Sequence, residues 1–219
     1  MLGWLFRSQC AACGELSDEP LCVGCALSLV ELGDACEVCA QPGRPLCSRC
    51  AHDPLPLERI VVAWKFGGAL ATAIRRLKFT GATHIARTLA PLWAPLLAAA
   101  VAETDGLVVP VPLHWRRRMH RGFDQTWLLA HHACALAGLP PPVCALKRLY
   151  AAPPQSTLPA IDRAANVDGA FAISADLGGR PVILIDDVVT TGATLAAAAR
   201  PLRDAGITQI LGVALARAE

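Results

Sequence analysis

The sequence predicts an α/β protein in which a mostly parallel sheet carries helices on both faces and follows a small cysteine-built module. Three observations carry that expectation. Short β-branched runs alternate with segments of helical spacing from residue 60 to the end, as in a parallel sheet. One of these runs, VILIDDVV (182–189), feeds a small polar turn and then a helix. Eight of the ten cysteines fall into four C-x-x-C pairs before residue 51. At 219 residues the chain can hold one medium domain and a small accessory one, divided here as 1–52 and 53–219.

Composition narrows the class of protein. The chain is 54% hydrophobic and 17% charged, and its 17 prolines and 17 glycines punctuate it without any low-complexity run. The net charge of +2 hides a division: residues 1–60 hold four Lys/Arg and eight Asp/Glu, residues 61–219 sixteen and ten. A basic larger part suits a polyanionic small ligand or nucleic acid, although a charge of this size decides neither. The start, MLGWLFRSQC, lacks the basic head and long apolar run of a secretory signal. Residues 89–101, LAPLWAPLLAAAV, are the most membrane-like stretch, yet they are too short to span a bilayer and hold Pro91 and Pro95. A core helix is expected there, and a cytoplasmic protein with no membrane span.

The cysteines come first along the chain, as Cys10/Cys13, Cys22/Cys25, Cys36/Cys39 and Cys47/Cys50. Two-residue spacing lets both thiolates of a pair face one tetrahedral metal, and two pairs complete a closed structural zinc site. Eight ligands imply two four-cysteine sites, a double zinc ribbon. The simplest pairing is sequential, with Cys10, Cys13, Cys22 and Cys25 on one Zn²⁺ and Cys36, Cys39, Cys47 and Cys50 on the other. A cross-brace, in which the first and third pairs share a metal, uses the same ligands. Disulfides are disfavoured in a chain expected in a reducing compartment. No open coordination position is implied, so both metals read as structural and as the source of most of this segment's folding energy. Cys134 and Cys144, flanked by Ala, Leu or Val, read as buried small hydrophobes.

Residues 51–59 read as a linker, IVVAWKF (60–66) as a strand, ALATAIRRLKF (69–79) as a helix, and about 83–101 as a second helix. Arg75, Arg76 and Lys78 suit the C-terminal end of their helix; they read as a solvated face or, for Lys78, as pointing into a ligand site. GLVVPVPLH (106–114) is a second strand candidate. The densest basic run follows as a loop, with Arg116, Arg117, Arg118, His120 and Arg121 before Gly122. Such a loop can cradle pyrophosphate, contact nucleic-acid phosphates, or simply be solvated. TWLLAHHACALAG gives a helix with His131 and His132 as ordinary surface or core residues. A short strand lies in 139–150. Gln155, Ser156 and Arg163 are polar candidates for a mobile flap, VDGAFAI (167–173) is another strand, and TQILGVALA (208–216) closes the sheet.

The stretch that organises the rest is VILIDDVVTTGATL (182–195). An apolar strand ends in Asp186 and Asp187, and Thr190-Thr191-Gly192-Ala193-Thr194 then lead into a helix. The unpaired N–H groups and dipole at a helix start suit an anion, and Gly192 lets backbone approach it closely. Paired acids at the carboxyl end of the strand suit sugar hydroxyls beside a phosphate. An acidic pair alone would read as an ordinary turn. The whole string instead closely resembles the signature that binds phosphoribosyl pyrophosphate (PRPP) in type I phosphoribosyltransferases.

Taken with the paired C-x-x-C ribbons, the VPVPLH strand, the basic run ending RGFDQ, and the block of Gln155, Arg163, Asn166, Ala170 and Phe171, the chain resembles the ComF family of competence proteins over nearly its whole length. Two departures stand out: the family's PLHP and RGFNQ have Trp115 in place of proline and Asp124 in place of asparagine here. The resemblance implies a type I phosphoribosyltransferase-like fold and a role in natural transformation, handling incoming single-stranded DNA. Asp186 and Asp187, the catalytic pair if the protein turns over, would hold the ribose hydroxyls. Val188, Thr190, Thr191, Gly192, Ala193 and Thr194 would surround the 5′-phosphate. Mg²⁺ would bridge ribose and pyrophosphate oxygens, and Arg116, Arg117, Arg118, Arg121 and Gln125 would form the pyrophosphate side. The alternatives are an active phosphoribosyltransferase of nucleotide or nucleobase metabolism, displacing pyrophosphate from ribose C1 with a nitrogen nucleophile, and a zinc-ribbon adaptor for a DNA-uptake helicase or channel component, with a relic phosphate site.

Overall fold

The computed structural model describes residues 9–150 and 169–218, so the flap candidates Gln155, Ser156, Arg163 and Asn166 lie outside the described residues. Four parallel strands form the main sheet: β1 (Arg59–Lys65), β2 (Leu107–Pro110), β5 (Val182–Val189) and β6 (Ile210–Arg217), in the order β1-β6-β5-β2. A separate antiparallel pair joins β3 (Leu146–Arg148) to β4 (Phe171–Ile173). Two short helices, α1 (Val23–Ala26) and α2 (Ser48–His52), belong to the cysteine segment. The larger part contributes α3 (Gly68–Thr80), α4 (His84–Leu89), α5 (Ala94–Thr104), α6 (Trp115–Arg121), α7 (Gln125–Leu136) and α8 (Ala193–Asp204).

Alternation along the strands sends their side chains into two cores. Ile183, Ile185, Leu211, Val213 and Leu215 pack with α3, α4, α5 and α7 on one face. Val182, Leu184, Ile210 and Ala214 pack with α8 and the β3–β4 pair on the other. β6 is buried along its whole length, because it lies between β1 and β5. The strand expected to close the sheet is therefore interior.

Several boundaries depart from the sequence reading. The helix expected over about 83–101 is broken: α4 runs into a 3-10 turn at Ala90–Leu92, Trp93 leaves helical geometry, and α5 restarts after a bend of 64°. Pro91 and Pro95 each sit in the first turn of a helical piece, where the missing N–H costs nothing. Among the described residues no single helix is long and apolar enough to cross a membrane; the bent pair has enough length and apolar composition, but buries Leu89, Trp93 and Leu97 in the core. β2 ends at Pro110, well short of 114, since Pro110 and Pro112 cannot donate to a ladder. Cys134 is buried as expected, and burial pushes its thiol up to about 11; Cys144 is exposed, against expectation.

Candidate functional site

β5 does not stop at the acids. It continues to Val189, so Asp186 and Asp187 stand in the second half of an interior strand. Asp187 is buried, and both its oxygens are engaged: Lys78 Nζ donates to Oδ1 at 2.9 Å, and Gln125 Nε2 to Oδ2 at 3.2 Å. Arg121 Nη1 in turn donates to Gln125 Oε1 at 2.8 Å. A relay Arg121–Gln125–Asp187–Lys78 thus joins α6, α7, β5 and α3. Asp186 accepts the Asp187 N–H at 2.8 Å. Burial, then the neighbouring Asp187 charge, pushes the Asp186 carboxyl up to about 7, against the opposing effects of Lys78, that N–H and Arg148. A carboxyl so placed is a poor resident anion and a ready acceptor for hydroxyls or a cation-bearing ligand.

After β5 the chain turns through Gly192, which sits in the left-handed region at φ 80° as the N-cap of α8. Ala193 N–H finds Thr191 Oγ1 at 3.3 Å. Asp186, Val188, Thr190, Gly192, Ala193 and Thr194 line one shallow cavity of about 20 Å³. The left-handed φ demands glycine there, and a Cβ would in addition press on the terminal methyls of Ile60 at 3.0 Å and Leu55 at 3.3 Å.

The basic run is a helix, α6, rather than a loop. His114 caps its start, with Nδ1 accepting the Arg116 N–H at 3.3 Å, and Gly122 in the left-handed region ends it. Trp115 occupies the first helical position, where proline is also well accommodated, so this departure from the family pattern leaves the helix intact. Asp124 joins two elements, since Oδ1 caps α7 through Thr126 and Trp127 while Oδ2 accepts the Leu113 N–H at 2.9 Å. Both oxygens accept, and an asparagine could not replace the second without turning its amide.

α6 separates two cavities. Arg116, Arg117, His120 and Arg121, with Lys78 and Phe79, line one of about 420 Å³. Arg118 faces the other, about 370 Å³, with Pro110, Pro112, Trp127 and Leu146. The structure therefore brings Arg121 and Gln125 to the acidic pair, puts Arg116 and Arg117 in the adjoining cavity, and turns Arg118 away. Arg148 is a site residue that the sequence does not reveal. Its guanidinium lies 5.2 Å over the Phe171 ring, close enough to Asp186 to oppose that carboxyl's rise. One basic residue on a three-residue strand gives no periodic signal of such placement.

The cysteine sulfurs gather as two groups, Cys10/Cys13/Cys22/Cys25 and Cys36/Cys39/Cys47/Cys50, each with all its Sγ atoms within 4.8 Å of one another. The pairing is sequential. Cys13 and Cys22 Sγ lie 3.7 Å apart and Cys39 and Cys47 Sγ 3.6 Å apart, near the ~3.8 Å edge of a tetrahedron with zinc–sulfur bonds of about 2.3 Å. Four thiolates per group fit structural Zn²⁺ and leave no open position. Burial alone would raise the Cys10 and Cys36 thiols, but backbone N–H groups aimed at their sulfurs outweigh it and hold both down at about 6, while burial and the neighbouring sulfurs push Cys25 up to about 12 and Cys50 up as well. Both knuckles are fastened to the sheet domain by an arginine. Arg76 Nη1 of α3 reaches the Cys10, Ala11 and Ala12 carbonyls at 3.0–3.2 Å. Arg217, buried at the end of β6, donates to the Cys39 carbonyl and to Gln41 Oε1.

A four-stranded parallel sheet flanked by helices, whose interior strand β5 carries paired carboxylates shortly before a glycine turn, follows two four-cysteine groups that fit structural zinc, and this defines an α/β protein of the ribbon-bearing kind. No family profile matches the chain. Individual relatives do. The DNA utilization protein YhgH of Salmonella typhi is 34% identical over 92% of this chain and 90% of its own length, and that of Escherichia coli K12 is 32% identical over the same shares. Competence protein F of Haemophilus influenzae is 29% identical over 97% of this chain and 98% of its own. The chain belongs to this family, that of competence protein F and YhgH.

Proposed function

We propose that the protein binds PRPP with Mg²⁺ at the end of β5 and acts in the handling of DNA taken up by the cell. The observation that carries the ligand reading is the relay from Lys78 through Asp187 and Gln125 to Arg121. It joins the carboxylates suited to a ribose diol to a basic cavity of about 420 Å³ suited to pyrophosphate. The 5′-phosphate belongs at the turn from Thr190 to Thr194, against the start of the 12-residue helix α8. Asp186 and Asp187 would hold Mg²⁺ near the strand end, where it would neutralise part of the pyrophosphate charge. The names of the relatives, DNA utilization protein and competence protein, support the biological role. So does α6, which offers arginines beside exposed Trp115 and Met119, a combination that fits the phosphates and bases of single strands.

Calorimetric titration of Mg–PRPP into the wild type and into Asp186→Asn/Asp187→Asn tests the reading. Saturable binding that disappears in the variant is the expected result. No binding to the folded, zinc-loaded wild type would leave the turn an inherited scaffold and favour the adaptor role. Release of pyrophosphate on adding a nucleobase would extend the reading to turnover.

A further inference from the structure

Helix α3 touches both the first cysteine cluster and the acidic pair. Its first turn has no capping side chain of its own. Ser28, three residues past Cys25, supplies one: its hydroxyl accepts the Ala69 N–H at 3.2 Å and donates to the Cys25 carbonyl at 2.8 Å. The approach is close, since a Cβ on Gly68 (φ 48°) would stand 3.1 Å from Ser28 Oγ and 3.2 Å from its carbonyl. Two turns further on, a single nitrogen of Arg76 collects the three knuckle carbonyls of Cys10, Ala11 and Ala12. The three carbonyls belong to the turn between Cys10 and Cys13, whose fold depends on the cluster it carries. Two residues later Lys78 ends on Asp187. Arg76 and Lys78 share one rigid segment, so a shift that frees the first displaces the second.

We propose that α3 couples the first cysteine cluster to the acidic pair: Ser28 and Arg76 hold the helix in the register from which Lys78 reaches Asp187. Occupancy of the first cluster, not the second, then sets how the pair meets a ligand, and Arg76 is a positioning residue. The second cluster is fastened through Arg217 on β6, whose guanidinium ends at Cys39 and Gln41. The coupling deepens the PRPP reading and rests on it only for its ligand readout. The charges felt by the pair are Lys78, Arg121 and Arg148.

The test uses the full, zinc-loaded chain as wild type, Arg76→Met, Lys78→Met, the double variant, and Arg217→Met as the control at the other cluster. Titration of the Asp186 carboxyl by NMR without ligand reads the contact directly, since the Lys78 charge opposes that carboxyl's rise. Loss of the lysine contact raises its titration midpoint, so Arg76→Met and Lys78→Met each move it up by about half a pH unit or more, while Arg217→Met leaves it in place. The double variant goes no further than Lys78→Met, because the two residues act in series. Mg–PRPP affinity falls about three- to tenfold in Arg76→Met and no further in the double. An unmoved midpoint in Arg76→Met, or full additivity with Lys78→Met, overturns the coupling. If the midpoints follow the pattern while the wild type binds no PRPP, the coupling stands and the ligand reading falls. Should Arg76→Met not fold, Ser28→Ala decides, since it deletes one hydroxyl: a smaller upward shift supports the proposal and no shift overturns it.

Discussion

Replacing Asp186 with asparagine should make the protein more stable while removing half of its candidate diol site. The Asp186 carboxyl rises from its ordinary 3.8 to about 7 because burial and the adjacent Asp187 oppose its charge. At about 1.4 kcal/mol per pH unit, that rise corresponds to a cost of ~4 kcal/mol in the folded state. Asp186 keeps some contact with solvent, and screening there brings the cost to ~1–2 kcal/mol. The sign follows from the order of ionisation. The folded value is the higher one, so the unfolded chain ionises first. The cost is absent below about pH 4, grows as pH rises to about 7, and is level above it. Asparagine keeps the shape and an oxygen for the Asp187 N–H and removes the charge. Urea unfolding of both zinc-loaded proteins should therefore show a gain of ~1–2 kcal/mol at pH 8 and about half of that at pH 5.5. A gain that does not change with pH, or a loss at pH 8, would refute the assignment of the strain to this carboxyl.

Two further outcomes follow from the same structure. Gly192→Ala forces a left-handed backbone on an L side chain and presses its methyl against Ile60 and Leu55, so it should cost ~1–2 kcal/mol in urea unfolding and weaken Mg–PRPP binding; a neutral effect on both would show that the turn relaxes freely. Removing zinc with a strong chelator strips Arg76 and Arg217 of their ordered carbonyl partners, so the thermal transition of the whole chain should fall rather than that of one part. Calorimetry paired with metal analysis checks this, and a main transition left in place would mean that the sheet domain stands without the knuckles.

What the sequence shows well is what local chemistry decides. The β-branched run and Gly192 announce strand and turn within fourteen residues, because each of those requirements is local. The C-x-x-C spacing announces tetrahedral metal for the same reason, whereas the choice between sequential and crossed pairing waits on how the knuckles fold. The basic run reads as a loop because α6 lacks apolar periodicity; it is made helical by caps, His114 in front and Gly122 behind. Lys78 and Gln125 are candidates in the sequence, but that both end on Asp187 is the least legible feature. Lys78 lies 109 residues away in sequence and Gln125 62, and only the winding of the sheet brings α3 and α7 to one strand end. The depth of β6 is hidden for the same reason, since strand order is a long-range property.

The position of the ribbon also answers a problem that a four-stranded parallel sheet poses. Such a sheet has two open edges, each a row of unpaired backbone groups that invites pairing with another chain. On the β2 side, Val143 donates to the Val108 carbonyl and continues the ladder for one bond. On the β1 side the cover comes from the cysteine segment. Lys65 N–H bonds the Val30 carbonyl, Glu31 bridges Trp64, and Ile60 N–H bonds the Val38 carbonyl. Val30 and Glu31 lie between the two cysteine clusters, and Val38 sits inside the Cys36–Cys39 knuckle. The two four-cysteine groups therefore flank a stretch too irregular to be a strand by its own propensity, and metals in them would hold it against the edge. The cysteine segment thus covers the edge that β1 would otherwise leave open, and through Ser28, Arg76 and Arg217 it is built into the elements that carry the sheet.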